Sequence, residues 1–326
     1  MKNTLWIAIC ACFAAAFAAG DTSKLGVDVK KIGGANVSPV SGKTYTLKWI
    51  DDFDGTTLNT NNWNHHTANL GNHQIFVRRK ENAVVKDGNL HMIVRKEDKQ
   101  YTGDIEPWHT ENDRVTSYYT ATELNTNGKQ AFKYGRFEMR AKVPCSYSIW
   151  SAFWTVGANR GWPWGGEIDI YEAVSGNKDG RYRDAEYHSC LHWADPTVPN
   201  NIGWGTNHSI PKGTAKDNPV WNRTDTKLVY GETFQLPSFH DGKGEKLHDK
   251  WRVYGMEWND KTITFYCDDK VYSTMDITHE SMREAYHQPH HIILSNSLGG
   301  EWAGYPNDRT VLPQEFVIDW IKVWQE

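Results

Sequence analysis

The sequence predicts an all-β fold, a single antiparallel β-sandwich. Three observations carry that expectation. Short runs in which apolar and polar residues alternate recur at close spacing, the period-two pattern of half-buried strands. Helical character is confined to one short stretch, Ser281 to His287. No linker, internal repeat or low-complexity tract divides the chain, so the strands belong to one layered core.

Taken in order, residues 1–20 read as a signal peptide, with Lys2, an apolar run from Leu5 and small residues ending Phe17-Ala18-Ala19-Gly20. Cleavage near residues 18–20 and secretion are expected. Cys10 and Cys12 fall inside this segment, but neither follows an apolar run long enough for a lipid anchor. The run is also too short to span a bilayer, and no other stretch approaches that length, so no membrane role is expected. Residues 21–43 are polar, with Gly, Ser and Pro, and read as an N-terminal arm; 44–326 form the folded domain.

That domain opens with an alternating strand from Tyr45 to Phe53. Asn82 to Lys86 and Leu90 to Val94 flank Asp87-Gly88, a strong hairpin signal. Residues 97–117 are polar without periodicity and read as a loop. Strands are expected again at Tyr118–Leu124, Tyr134–Val143 and Ser148–Val156, then along the acidic stretch 167–173 and at His188–Trp193. The span 194–245 is rich in Gly, Pro, Asn and Asp and reads as a long irregular insertion rimming a cleft. Trp251–Trp258, Thr262–Cys267, His291–Ser295 and Phe316–Trp324 complete the series.

A net charge of −4 gives no basic surface for nucleic acid. Sixteen Trp and fifteen Tyr are a large aromatic load; such residues usually build core, and in a secreted protein they also suit stacking on sugar rings. Outside the leader only Cys145, Cys190 and Cys267 remain, widely spaced. They make neither a disulfide framework nor a zinc pattern, and at most one bridge. Asn36, Asn207 and Asn222 head N-x-S/T sequons.

The most informative stretch is W-P-W-G-G-E-I-D-I-Y-E-A, Trp162 to Ala173. Its β-branched and aromatic residues make it a strand. Strict alternation places Glu167 and Asp169 on one face and Glu172 on the other. Like charges crowded on one strand repel, which argues that the acids serve chemistry. One extra residue near Ile170 and Tyr171 would form a β-bulge and return Glu172 to the face of Glu167. Two carboxylates across a sugar-sized gap are the equipment of glycosidic-bond cleavage. Gly165 and Gly166 upstream allow the backbone to bend and a ligand to approach closely.

E-I-D-I-Y-E also resembles the E-x-D-x-x-E signature of the bulged branch of glycoside hydrolase family 16, which holds laminarinases, agarases and carrageenases. An unbulged E-x-D-x-E branch holds lichenases and xyloglucan-modifying enzymes. Further segments resemble laminarinases in the same order. They include L-K-W-I-D-D-F-D-G from Leu47, S-I-W-S-A-F-W from Ser148, H-S-C-L-H from His188 and I-I-L-S-N-S-L-G-G-E-W-A-G from Ile292. The likeness runs from about Tyr45 to Gln325, and so covers nearly the whole folded domain.

The resemblance implies a jelly-roll sandwich whose concave sheet is the glycan cleft. It implies Glu167 as nucleophile, Glu172 as general acid/base and Asp169 as the residue that orients Glu167. Trp150, Trp154, Trp162, His192, Asn72 and Asn296 are the implied substrate contacts. The similar segment reads H-G-T-L-H where this chain has H-S-C-L-H, and Leu-Asn where this chain has Ser295-Asn296. No cofactor is needed for the chemistry. One structural calcium is implied at Asp52, the Gly88 carbonyl and Asp319, hard oxygen donors of the kind calcium favours. The expected protein is a monomeric, secreted, retaining endo-glycosidase on β-1,3-glucan or mixed β-1,3/1,4-glucan. The alternatives are a hydrolase of red-algal galactans and a non-catalytic glucan-binding protein, the latter disfavoured because all three acids are present.

Overall fold

The computed structural model describes residues 36–38, 40–67, 72–103, 116–175, 183–193, 229–236 and 244–326. The leader and most of the arm lie outside the described residues, as does most of the insertion at 194–245. The chain divides into two compact units, Met1–Asn36 and Val37–Glu326, and every strand named below belongs to the second.

Strands β1 (Thr46–Asp51), β2 (Asn64–His66), β3 (Ile75–Phe76), β4 (Ala83–Lys86), β5 (Asn89–Thr102) and β6 (Thr116–Asn125) open it. β7 (Gly135–Lys142) and β8 (Ile149–Gly157) lead to the acidic strand, β9 (Glu167–Val174). β10 (Glu186–His192), β11 (Val229–Gln235), β12 (Arg252–Trp258), β13 (Thr262–Cys267) and β14 (Lys270–Asp276) come next. β15 (His290–Leu298) and β16 (Gln314–Gln325) close the unit. The helical stretch expected near Ser281 is a 3₁₀ turn, Glu280–Met282, running into one short helix, α1 (Arg283–Tyr286).

The strands pair in the order β11-β10-β9-β8-β15-β6-β5-β16-β7-β12-β13-β14. This path folds over on itself at β5. Leu90 to Val94 of β5 pair with β16, whereas Arg95 to Thr102 pair with β6. One layer is therefore β11-β10-β9-β8-β15-β6, and the other is β5-β16-β7-β12-β13-β14 with β1 on β16. Pairing is antiparallel apart from β3 on β6. This is the antiparallel sandwich that the strand pattern predicts, with the jelly-roll form that the resemblance implies.

The core lies between the layers. Phe153, Ile168, Tyr171, Tyr187 and Leu294 of the first layer pack with Met139, Tyr254, Met256, Phe265 and Ile321 of the second. Tyr171 and Tyr254 meet across the interface with ring centroids 4.4 Å apart. Each such side chain, fully withdrawn from water, stabilises the fold by about 1.5–3 kcal/mol. Alternation along β8 sends Ser151, Phe153 and Thr155 into this core and leaves Trp150 and Trp154 half-buried on the opposite, cleft face.

Three expectations need correction. The loop at 97–117 is partly strand, because β5 runs on to Thr102 and β6 begins at Thr116. That part of β5 is mostly exposed and polar, so it carries no apolar period to read. The insertion at 194–245 contains β11, which adds the edge strand next to β10. β14, a hairpin partner of β13, lies in a stretch where no strand is expected.

Candidate active site

The bulge sits where the acid spacing requires it. On the β8 side Val156 pairs with Glu167 and Trp154 with Asp169, but Phe153 pairs with Tyr171, so Ile170 has no partner of its own. On the β10 side Cys190 pairs with Asp169 and His188 with Glu172. The extra residue sends Tyr171 into the core, fully buried, and turns Glu172 to the cleft. Glu167, Asp169 and Glu172 then line one cavity of about 200 Å³, together with Asn72, Trp150 and Trp154.

The turn preceding β9 is held tightly. Gly157 N–H donates to Gly166 O at 3.1 Å, and Gln288 Nε2 donates to Gly165 O at 3.0 Å. A Cβ at Gly157 would stand 2.1 Å from Gly165 O, so only glycine lets these backbones meet. Gly166 adopts φ +77°, the left-handed region that favours glycine. This anchoring presents Trp162, whose Nε1 donates to Glu167 Oε2. At the other end Trp150 Nε1 donates to Glu172 Oε1 at 2.9 Å. Each outer carboxylate thus has an indole donor of its own.

Between them Asp169, 2% exposed, pairs with His192, whose Nε2 lies 3.2 Å from Asp169 Oδ2. Burial by itself pulls His192 down; the pairing with Asp169, the contact with Cys190 and the charge of Glu167 outweigh it and raise the imidazole to about 11. His192 is therefore a cation in the floor of the cleft. Burial pushes Glu172 up to about 8, the charge of Asp169 adds to this, and His192 and the Trp150 N–H oppose it. Glu167 is pushed well above the ordinary carboxylate range, first by burial and then by Asp169, with which it shares a hydrogen bond. Glu167 and Glu172, buried beside Asp169, thus both hold a proton more tightly than an ordinary carboxylate.

Of the expected contacts, Asn72, Trp150, Trp154 and His192 stand at the cleft. Trp162 stands beside Glu167 as its hydrogen-bond donor. Asn296 does not face the cleft. It is fully buried, and its Nδ2 donates 2.8 Å to Met92 O in the opposite layer. The register explains this: Ser295 pairs with Ala152 and Ser297 with Trp150, so those serines share the cleft face and Asn296 takes the other.

A polar relay also lines the site, and nothing in the sequence pattern announces it. Trp154 Nε1 donates to Ser295 Oγ at 3.0 Å, and Ser295 Oγ donates to Glu123 Oε2 at 2.7 Å. His66 Nδ1 lies 2.7 Å from the other oxygen of Glu123. Trp302, edge-on to Trp150 with centroids 5.1 Å apart, walls the Glu172 end. Its signal is present in G-G-E-W-A-G, next to the glycines that bring this loop against Asn72 and His73.

The implied calcium ligands lie away from the cleft, around β16. Leu90 pairs with Ile318 and Asp51 with Ile321, so Asp52, the Gly88 turn and Asp319 come to one region of the outer layer. Asp319 is 2% exposed and accepts a hydrogen bond from Arg140. The donors fit a hard cation in kind, with Arg140 as its competitor for Asp319. Cys145, Cys190 and Cys267 are free thiols.

A concave sheet carrying two carboxylates, each with its own indole donor, on either side of a third acid defines a carbohydrate-cleaving class of protein. Comparison with known proteins agrees. A profile described as "XgeA-like, catalytic GH16 domain" matches residues 127–282. The chain is 28% identical over 300 residues to a β-glucanase of Rhodothermus marinus, covering 86% of this chain and 85% of that protein. It is 24% identical over 306 residues to glucan endo-1,3-β-glucosidase A1 of Niallia circulans, with 86% of this chain covered and 38% of that protein spanned. Among solved structures it is similar to the laminarinase catalytic domain of Thermotoga maritima MSB8, with a TM-score of 0.65 and 25% identity. That match covers 87% of this chain and 99% of the other. The matched profile is that of the glycoside hydrolase family 16 catalytic domain, and these relatives and this solved structure, which the chain resembles, are β-glucanases and a laminarinase.

Proposed function

We propose that this chain is a retaining endo-glycosidase hydrolysing β-1,3-glucan or mixed-linkage β-1,3/1,4-glucan. The observation that carries the reading is the bulge at Ile170, which sets Glu167 and Glu172 against one cavity with Asp169 between them. Glu167 attacks the anomeric carbon while Glu172, protonated at neutral pH, gives its proton to the departing glycosidic oxygen. A covalent glycosyl-enzyme forms on Glu167. Glu172, now ionised, takes a proton from the water that hydrolyses it. Attack requires Glu167 in its ionised form. The Trp162 N–H and the His192 cation stabilise the charge this leaves on Glu167.

Two findings support a neutral glucan. The relatives in Rhodothermus marinus, Niallia circulans and Thermotoga maritima are named for glucanase or laminarinase activity. Among the described residues the cavity lining holds no Lys or Arg, the groups a sulfated galactan would ask for; Arg78, Arg79 and Lys80 line a separate surface pocket. Reducing ends released from laminarin, lichenan, agarose and carrageenan test the choice, with release expected from the first two. Glu167→Gln is expected to keep glucan binding and lose roughly 10⁴–10⁶ in kcat. Near-normal turnover in that variant would overturn the assignment.

A structural calcium at Asp52, Gly88 and Asp319 belongs to the proposal, as do secretion with cleavage near residues 18–20 and a monomeric state. N-terminal sequencing of the exported protein and its sedimentation in solution test the last two.

A further inference from the structure

The cleft face of β10 carries a thiol that the proposed chemistry does not use. Cys190 is two residues from His192, so the two share a face of the strand. The register sets Cys190 directly opposite Asp169 on β9, a relation that brings Cβ atoms to about 4.5–5.5 Å. As a result Cys190 Sγ, one ring nitrogen of His192 and one carboxylate oxygen of Asp169 all lie within 4.8 Å of one another. Among the described residues this is the one such grouping of His, Cys, Asp and Glu. Asp169 is 2% exposed, and its Oδ2 faces His192 Nε2 at 3.2 Å, so a metal ion here takes the place of the imidazolium proton between them.

From this geometry we infer a site for a thiophilic divalent cation of the zinc type, held by Asp169, Cys190 and His192, that switches the enzyme off. Zinc accepts a thiolate, an imidazole and a carboxylate at about 2.0–2.3 Å in tetrahedral geometry. Donors so arranged stand about 3–4 Å apart, within the span of this trio. Cys190 and His192 are half-buried, so the ion enters from the cleft and water completes its shell. Calcium and magnesium do not suit the thiolate. Binding releases one proton each from Cys190 and His192 to solvent and forms three metal–ligand bonds. The ion then holds Asp169 and His192 away from Glu167. The similar H-G-T-L-H segment has Thr where this chain has Cys190, so the soft ligand is a feature of this sequence.

Inhibition rests on the proposed glucanase reading; metal binding does not, and two readouts separate them. The metal-stripped full chain is titrated with Zn²⁺ while laminarin hydrolysis is followed, and with Co²⁺ while absorption is recorded. Reversible inhibition at one equivalent is expected, relieved by a chelator, together with a thiolate-to-cobalt charge-transfer band. Cys190→Ser and Cys190→Thr, each compared with its own metal-free rate, should need at least about tenfold more Zn²⁺ and lose the band. Two variants are named so that poor folding of one leaves the other to decide. If laminarin is not cut at all, the band and its loss still report on the site. An absent band in the parent, or equal Zn²⁺ sensitivity in a folded Cys190 variant, would overturn the inference.

Discussion

At the scale of single residues, Glu172 is the group whose proton matters most. Burial, with Asp169 beside it, pushes its pKa up to about 8. The protonated form is the competent acid, so activity is present below that value and falls as pH rises through it. The alkaline limb of kcat/KM on laminarin should therefore lie near pH 8; a limb near the ordinary glutamate value would contradict the burial argument. Removing the group gives a sharper test. Glu172→Ala should be slow on glucan but far less impaired on an aryl glycoside whose leaving group departs without a proton. The glycosyl-enzyme then accumulates, and azide should release it as a β-glycosyl azide of retained configuration. Wild-type-like rates, or an inverted azide product, would remove Glu172 from its role.

At the scale of elements, the turn between β8 and β9 governs whether the acids are presented at all. Gly157→Ala puts a methyl group 2.1 Å from Gly165 O, and backbone on both sides cannot yield cheaply. A loss of about 1–3 kcal/mol is expected, lowering the melting temperature by several degrees. Because Trp162 hangs on that turn, kcat should fall as well; an unchanged melting curve would show the turn to be slack. This element also shows what a sequence can convey. β9 and its bulge were legible because charge on a strand needs a reason, and the spacing from Glu167 to Glu172 fits one face only with a bulge. The orientation of Asn296 was not legible, since parity along β15 depends on how Ser295 and Ser297 register against β8. Glu123 was hidden for the same cause: a lone acid in β6 acquires meaning only when Ser295 and His66 reach it from other strands.

At the scale of the whole molecule, the two layers are not independent, because β5 belongs to both. The positions implied for calcium lie in the outer layer, beside the β4–β5 turn and β16, on the far side of the core from the acids. A cation bound only by the native state stabilises it by mass action. A calcium-selective chelator should therefore lower the melting temperature by a few degrees and leave initial rates at room temperature nearly unchanged. An unmoved melting curve, with metal analysis finding no calcium, would remove the ion.

The unpartnered Ile170 has a consequence for how such a site changes over generations. In most strands, gaining or losing one residue reverses the faces of everything downstream. Here, excising Ile170 would leave Glu167, Asp169 and Glu172 in simple alternation on the cleft, with Tyr171 still turned inward. The spacing would become that of the unbulged branch, at the cost of one buried isoleucine. A length mutation at the centre of the active site, ordinarily lethal to it, is here one the chemistry could survive, and lineages can have crossed it in either direction.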